Sequence, residues 1–411
     1  MIQNKNFRVP TILLTMMVFF GHLLPIINYY HMLIVVLACT MIAAFVNQGK
    51  ISINNNITWL ICVIILMISL IFSYNSLETL KFSLMFFCIL FIKMMYEGQE
   101  NWQSFLIKCF LCASFIHVVL TLAQFMFPDV ITSLNSLILA GNDYYTNVNL
   151  LNRGAFAGIT GQTGINSFYI SIFIAIVFCK LINSSNRKLI FMIALAIAMI
   201  ALLLTVKRSQ VIVNGVAMLI VFFVFSKGNK ESIFNFVKIP FLVVIVGYFI
   251  LTNIPATNTV IEKFSMFAES SDFTNGRMYL WNATINIFNE HPIIGVGAGT
   301  IGMNLDEMTH NIYIQMLGEM GILGFVSFTM AFILSVLKTL KIINICLRGK
   351  SGSNIQKYSL ALGLYLQIYF ILYGLSGNPL YSPIYLIVYM QMISIVNSSY
   401  LKRNKLIKNI R

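Results

Sequence analysis

One pattern recurs from end to end of this chain: apolar runs, most of them of the ~20-residue length that crosses the ~30 Å hydrocarbon core of a bilayer as a helix. The runs fall at 10–28, 31–47, 57–74, 82–96, 104–127, 166–182, 189–206, 209–226, 238–254, 311–337, 358–376 and 383–399. In lipid every backbone polar group must be paired inside the protein, so such runs are helices packed on one another. Composition agrees: 10% of the 411 residues are charged and 58% are hydrophobic, against about 25% charged in a soluble domain. The expected fold is an all-α polytopic membrane protein of about 12 transmembrane helices, a single membrane domain over residues 1–411. The first run is expected to remain as a helix, because Lys5 and Arg8 precede it and no small-residue cleavage pattern follows.

Lys and Arg accumulate in cytoplasmic loops and so set the orientation. With the N-terminus inside, the outer side keeps only Lys81, Arg153, Lys207, Arg208, Lys263 and Arg277 of the 27 basic residues. The rest, including Lys50, Lys93, Lys108, Arg187, Lys338, Arg348 and the tail from Lys402 to Arg411, fall inside. Both termini are therefore expected in the cytoplasm. The net charge of +14 follows from topology and is no argument for nucleic acid as a partner. The seven cysteines show neither metal-ligand spacing nor an external pair, which leaves small apolar packing residues as the expectation.

Most connections are short, but 128–165 and 255–310 are long external loops, and long connections in compact proteins are usually functional or disordered. In the second, Met278, Tyr279, Leu280, Trp281, Ile285, Ile287 and Phe288 recur at helical spacing after Asn275-Gly276. This predicts an amphipathic helix at the outer membrane surface, stopped at His291-Pro292 because proline cannot continue it. Gly295-Val296-Gly297-Ala298-Gly299 then permits a close backbone approach, and His310-Asn311 opens the next apolar helix.

The external polar residues are candidates for chemistry. Arg208 stands at an abrupt turn between two spans, as either a snorkelling anchor or an anion ligand; Lys207 beside it has the weaker case. Arg277 begins the surface helix and Arg153 precedes the Gly158–Gly164 stretch. Basic residues are disfavoured outside, and an arginine fork matches phosphate oxygens bidentately. His22, His31 and His117 sit in or beside spans, where packed or hydrogen-bonded core roles are expected, and His291 ends a helix. His310 differs in lying at the junction of loop and span, where an imidazole suits general-base work on a hydroxyl. Asp306-Glu307 match no metal-ligand spacing and read as a solvated loop.

The string Gly276-Arg277, Trp281, His291-Pro292, Gly295-Val296-Gly297, His310-Asn311, Glu319, Gly321 and Gly324 resembles the shared motif of the bacterial O-antigen polymerase and O-antigen ligase superfamily. Arg208 matches the arginine this family carries at the outer end of a preceding helix, and 158–166 is similar to its middle external loop. The detailed resemblance covers about 50 residues, with weaker support across 150–226. It implies a membrane glycosyltransferase of the bacterial cytoplasmic (inner) membrane, needing neither metal nor cofactor. Its substrate would be an undecaprenyl-diphosphate-linked oligosaccharide, with a flippase and a chain-length regulator as working partners. His310 would be the catalytic base, Arg208 and Arg277 would hold the diphosphate, and Arg153, Tyr279, Trp281 and Glu319 would contact substrate. Tyr279 and Trp281 serve equally well as anchors of the surface helix. No Asp-x-Asp or Glu-x-Asp stands in an early external loop, the metal-binding signature of the other large class of lipid-dependent membrane glycosyltransferases, and no P-loop is present. The His-Pro-x-x-Gly-x-Gly segment and modest external loop favour a polymerase making O-antigen or capsular polysaccharide over a ligase charging lipid A core. A flippase or other transporter would instead place ionisable groups and broken helices at mid-membrane, usually in two related halves.

Overall fold

A computed structural model describes residues 7–23, 29–47, 49, 51–99, 101–183, 188–226, 276–305, 307–348 and 354–408. Among the described residues every regular element is helical. The helices are α1 (Arg8–Phe20), α2 (Tyr29–Val46), α3 (Ile57–Ile71), α4 (Ser76–Glu97), α5 (Gln103–Met126), α6 (Pro128–Ile138), α7 (Gly141–Asn152), α8 (Thr163–Asn183), α9 (Lys188–Leu204) and α10 (Arg208–Ser226). After them come α11 (Met278–Glu290), α12 (Ile301–Asn304), α13 (Ile312–Arg348), α14 (Asn354–Tyr373) and α15 (Pro383–Lys408). Each expected span coincides with a helix, except 238–254, which lies outside the described residues. Among the described residues, seven helices are long and apolar enough to cross a membrane, and three shorter apolar helices accompany them. The chain is an all-α polytopic membrane protein.

The chain divides into two compact units: Met1–Val18, Tyr29–Phe105 and Thr274–Arg411 form the first, and Phe19–Asn28 with Leu106–Phe273 the second. In the first, α2 and α3 turn Ile34, Ile42, Phe45, Ile64 and Ile71 outward, all more than half exposed. Exposed aliphatic rows of this kind are the lipid-facing surface of a membrane protein. The inner faces meet in a cluster of Trp59, Phe86, Phe328, Phe332, Phe370 and Tyr389, with Phe370 and Tyr389 stacked at 4.2 Å and Trp59 5.7 Å from Phe332. Lipid is as apolar as these rings, so close packing rather than water exclusion holds them together.

The second unit centres on α8, which is buried along nearly its whole length. His117 is fully buried beside Tyr169, ring centroids 4.4 Å apart, with Nε2 on the Phe19 carbonyl. His22 Nε2 meets the Ile159 carbonyl. Both have the expected core role, whereas His31 is exposed near the start of α2 and is not packed. The expected loop 128–165 is largely helical, as α6 and α7. The Pro128 start fits a helix N-terminus, but Gly141–Asn152 is too polar to show apolar periodicity. Asn147 of α7 is buried and caps the turn after it, donating to the Gly158 and Thr160 carbonyls while accepting from Gln124 and Asn135.

A first prediction follows for orientation. Tyr145 on α7 is 67% exposed, so Tyr145→Cys should gain labelling by a membrane-impermeant thiol reagent in intact spheroplasts, over the parent background. Ser351→Cys, at a position assigned to the cytoplasm by its basic sequence neighbours, should gain it only after permeabilisation. Labelling at Ser351 in intact cells would reverse the topology.

Candidate functional site

In the first unit the motif is built around a broken helix. At 37 residues α13 would be roughly 55 Å long if straight, well over a bilayer core. Gly321, at φ 61° and ψ −164°, interrupts it. The break frees backbone groups that a helix would pair, and the glycine segment takes them up. Val296 N–H donates to the Gly318 carbonyl at 3.2 Å and Gly297 N–H to the Glu319 carbonyl at 2.8 Å. In return Ile322 N–H and Leu323 N–H reach the Pro292 and Ile293 carbonyls at 2.9 and 3.3 Å. Two backbones meet here with no room for side chains. A Cβ on Gly295 would stand 2.3 Å from the Glu319 carbonyl carbon, and one on Gly321 2.3 Å from Ile293. The opposite edge of the segment is held by the α3–α4 turn, where Tyr74 N–H bonds the Val296 carbonyl and Ser69 Oγ receives Ala298 N–H.

Glu319, fully buried two turns into α13, completes this dock. Its carboxylate accepts from Gly299 N–H at 2.7 Å, Ile301 N–H at 3.0 Å and Gln315 Nε2 at 2.9 Å. The buried Tyr381 phenol faces the same carboxylate outside hydrogen-bond geometry, and burial with that negative neighbour pushes its pKa well above the usual phenol range. With its oxygens already engaged by the backbone and Gln315, Glu319 positions the glycine segment instead of facing outward to a substrate.

The same network reaches His310. Gln315 Oε1 accepts from Thr309 Oγ1 at 3.2 Å, and Thr309 Oγ1 also bonds the Asn311 backbone. Asn311 Oδ1 caps α13 by accepting from Tyr313 N–H and Ile314 N–H. From the surface helix α11, Trp281 Nε1 donates to the Thr309 carbonyl at 2.9 Å. Between these fixed neighbours His310 is half-buried with φ 54°, a left-handed conformation that costs a non-glycine residue of order 1–3 kcal/mol and points to function where it persists.

α11 begins and ends where the sequence predicts, at Met278 and at the His291 cap. It buries Leu280 and Thr284 and leaves Tyr279 65% exposed. Arg277 lies just before it, half-buried, with Nη1 on the Ser376 carbonyl at 3.2 Å. Burial lowers its pKa from the ordinary guanidinium value, opposed by Tyr373 and Glu307, and it stays charged. Glu307 is exposed; Asp306 lies outside the described residues. His291 Nε2 is bonded to Tyr74 Oη at 2.6 Å, which ties the end of α11 to the α3–α4 turn.

In the second unit Arg208 is the first residue of α10, after a turn in which Val206 has φ 56°. Gln210, two residues on, donates to the Gly164 carbonyl at 2.9 Å. A cation at a helix N-terminus opposes the helix dipole, an arrangement that an anion there would relieve. Arg153 caps α7 at its C-terminal end and is exposed. The structure thus joins Trp281 and Glu319 through one bonded network whose members Thr309 and Asn311 flank His310, places Arg277 at the start of α11 in the same unit, and puts Arg153 and Arg208 in the other unit. Thr309 and Gln315 were not evident as site residues, although Gln315 and Glu319 stand at i,i+4 spacing on one helix face; Asn311 stood in the motif string without a role.

Residues 193–329, from α9 into α13, match the family model described as O-Antigen ligase. This similarity, confined to residues 193–329, supports the O-antigen polymerase and ligase superfamily. The match takes in Arg208, Arg277, Trp281, His310 and the Gly321 break, and leaves Arg153 outside. Members of the O-antigen ligase family are membrane glycosyltransferase-like enzymes. No curated protein matches the chain.

Proposed function

We propose that this chain polymerises lipid-linked oligosaccharide repeat units into O-antigen or capsular polysaccharide at the outer face of the bacterial cytoplasmic membrane, both termini lying inside. His310 takes the proton of an acceptor sugar hydroxyl. The hydroxyl oxygen bonds to the anomeric carbon of the donor chain, whose bond to the lipid diphosphate breaks. Arg208 and Arg277 neutralise the departing diphosphate, so no divalent metal is required. Arg153, Tyr279 and Trp281 line the path of substrate. The observation that carries this reading is the turn at His310, held in a strained backbone conformation by buried partners on both sides.

Ligation to lipid A core is the second reading, favoured by the description of the family matched at 193–329. Mass spectrometry of glycans from a deletion strain separates the two. Single repeat units capped on the core support polymerisation; full-length chains stranded on the lipid carrier support ligation and overturn it.

The arginine assignments make a second prediction. Lysine keeps the charge but loses bidentate geometry, so Arg208→Lys and Arg277→Lys should each lower polymer output by about tenfold or more, the loss of one charge-assisted bond. Immunoblots of membrane fractions would check abundance and gel profiles would read chain length. Normal profiles in both variants would remove the diphosphate role, because a snorkelling anchor tolerates lysine.

A further inference from the structure

Lys93 and Glu97 form an ion pair one turn apart on α4, both side chains 0% exposed, and nothing in the transfer chemistry above uses them. The sequence places Lys93 among cytoplasmic loop charges, yet it is wholly buried. Lys93 also donates to Asn56 Oδ1; Asn56 Nδ2 reaches Glu97 Oε2 at 2.8 Å, and Asn397 Nδ2 reaches Glu97 Oε1 at 2.7 Å. A buried ion pair is weak evidence for stability, since desolvation offsets most of the attraction. What it does here is fix the orientation of Asn397. Only the amide nitrogen can face a carboxylate, so Asn397 Oδ1 points away, 2% exposed and without a hydrogen-bond donor.

Asn397 borders a cavity of about 140 Å³ that also meets Asn54, Asn55, Thr58, Ser335 and Lys338. Lys338 is half-buried, donates to Asn55 Oδ1 at 2.9 Å, and forms no ion pair among the described residues. It lies 17 residues past the Gly321 break on α13, roughly 25 Å along the helix from the motif. Of the aliphatic residues lining the cavity Ile57 and Leu334 are exposed, as acyl chains require. An ammonium with amide and hydroxyl donors suits a phosphate oxygen, and an orphan buried carbonyl calls for a donor. Aliphatic residues at the rim call for hydrocarbon.

We infer that this cavity binds the phosphodiester headgroup of a membrane glycerophospholipid whose headgroup ends in a hydrogen-bond donor, an amine or a hydroxyl. Lys338 meets the phosphate and Asn397 Oδ1 meets the donor. The buried Lys93–Glu97 pair is then the scaffold that aims Asn397.

Native mass spectrometry of the purified full chain, given equimolar phosphatidylethanolamine, phosphatidylglycerol and phosphatidylcholine, tests this. Phosphatidylcholine shares the phosphodiester but has no donor. The first two lipids should be retained about tenfold or more over phosphatidylcholine, the value of one hydrogen bond to a buried or charged group. Lys338→Gln should reduce their retention by a similar factor, and Lys341→Gln should not. Thr58→Leu, which fills the cavity and keeps the lysine, should abolish the preference; it decides the matter if Lys338→Gln fails to fold. Equal retention of all three lipids, or unchanged retention in Lys338→Gln and Thr58→Leu, would overturn the proposal. So would displacement of lipid by millimolar inorganic phosphate, which would mark a free-phosphate site.

Discussion

His310→Ala should lower polymer formation by about two to four orders of magnitude, the usual contribution of a general base, while the protein still inserts and accumulates. Alanine also relieves or worsens the left-handed backbone at this position, so a second variant is needed to separate chemistry from strain. Asparagine adopts positive φ more readily than most residues but cannot act as a base near neutral pH. His310→Asn should therefore keep the unfolding temperature within about 1 °C of the parent, a change of about 1 kcal/mol or less for a protein of this size. It should nonetheless share the activity loss. Turnover of lipid-linked substrate and thermal unfolding in detergent, measured on the same preparations, check this. Activity in His310→Asn close to that of the parent would remove the base from this residue, and loss of turnover in His291→Ala alone would move it there.

Gly321→Ala and Gly295→Ala should each prevent accumulation of folded protein. Each Cβ would sit within 2.3 Å of backbone atoms, and both glycines have positive φ, 61° and 75°. A positive φ costs alanine of order 1–3 kcal/mol, and with ψ at −164° Gly321 lies in a region open essentially to glycine alone. The overlap adds more, because the atoms in the way are backbone and cannot rotate aside. Separation of the glycine segment from α13 would then leave the Gly318 and Glu319 carbonyls unpaired, at about 1–3 kcal/mol for each buried group. Gly215→Ala is the control: it lies inside α10 with nothing within 4 Å of an added Cβ, and should stabilise by about 0.5–1 kcal/mol. Fluorescence-detected size exclusion and thermal unfolding would read both. Wild-type behaviour of Gly295→Ala would mean that the backbone contact at the break is not required for the fold.

The two sites show what a sequence discloses and what it hides. Spans, the surface helix and its stop at His291-Pro292 were legible because each depends on neighbours a few residues away: apolar periodicity, or a proline that ends a helix. The break at Gly321 was not. It depends on backbone pairing between 292–297 and 318–323, partners set by tertiary contact, and the glycines alone announce only freedom. Glu319 stood in the motif string and was assigned to substrate. Its carboxylate turns inward to Gly299 and Ile301, a direction that residue type does not reveal. Lys93 was counted as a loop charge because basic residues mark cytoplasmic ends. Only the fold shows that Glu97, Asn56 and Asn397 converge on it. The polar helix α7 was missed for the opposite reason, since it lacks the apolar stripe on which helix reading rests.

The central claim is that His310 and the arginines transfer a glycan chain from a lipid diphosphate to another lipid-linked repeat unit. The most direct test is the purified full chain in lipid nanodiscs, supplied with undecaprenyl-diphosphate-linked repeat units and followed by mass spectrometry of the products. The account predicts a ladder spaced by one repeat-unit mass, with one undecaprenyl diphosphate released per added unit, persisting in EDTA and absent from His310→Ala. No ladder from the native repeat unit, with transfer instead appearing only when lipid A core is added, would contradict polymerisation; no transfer to either acceptor would contradict the glycosyltransferase assignment itself.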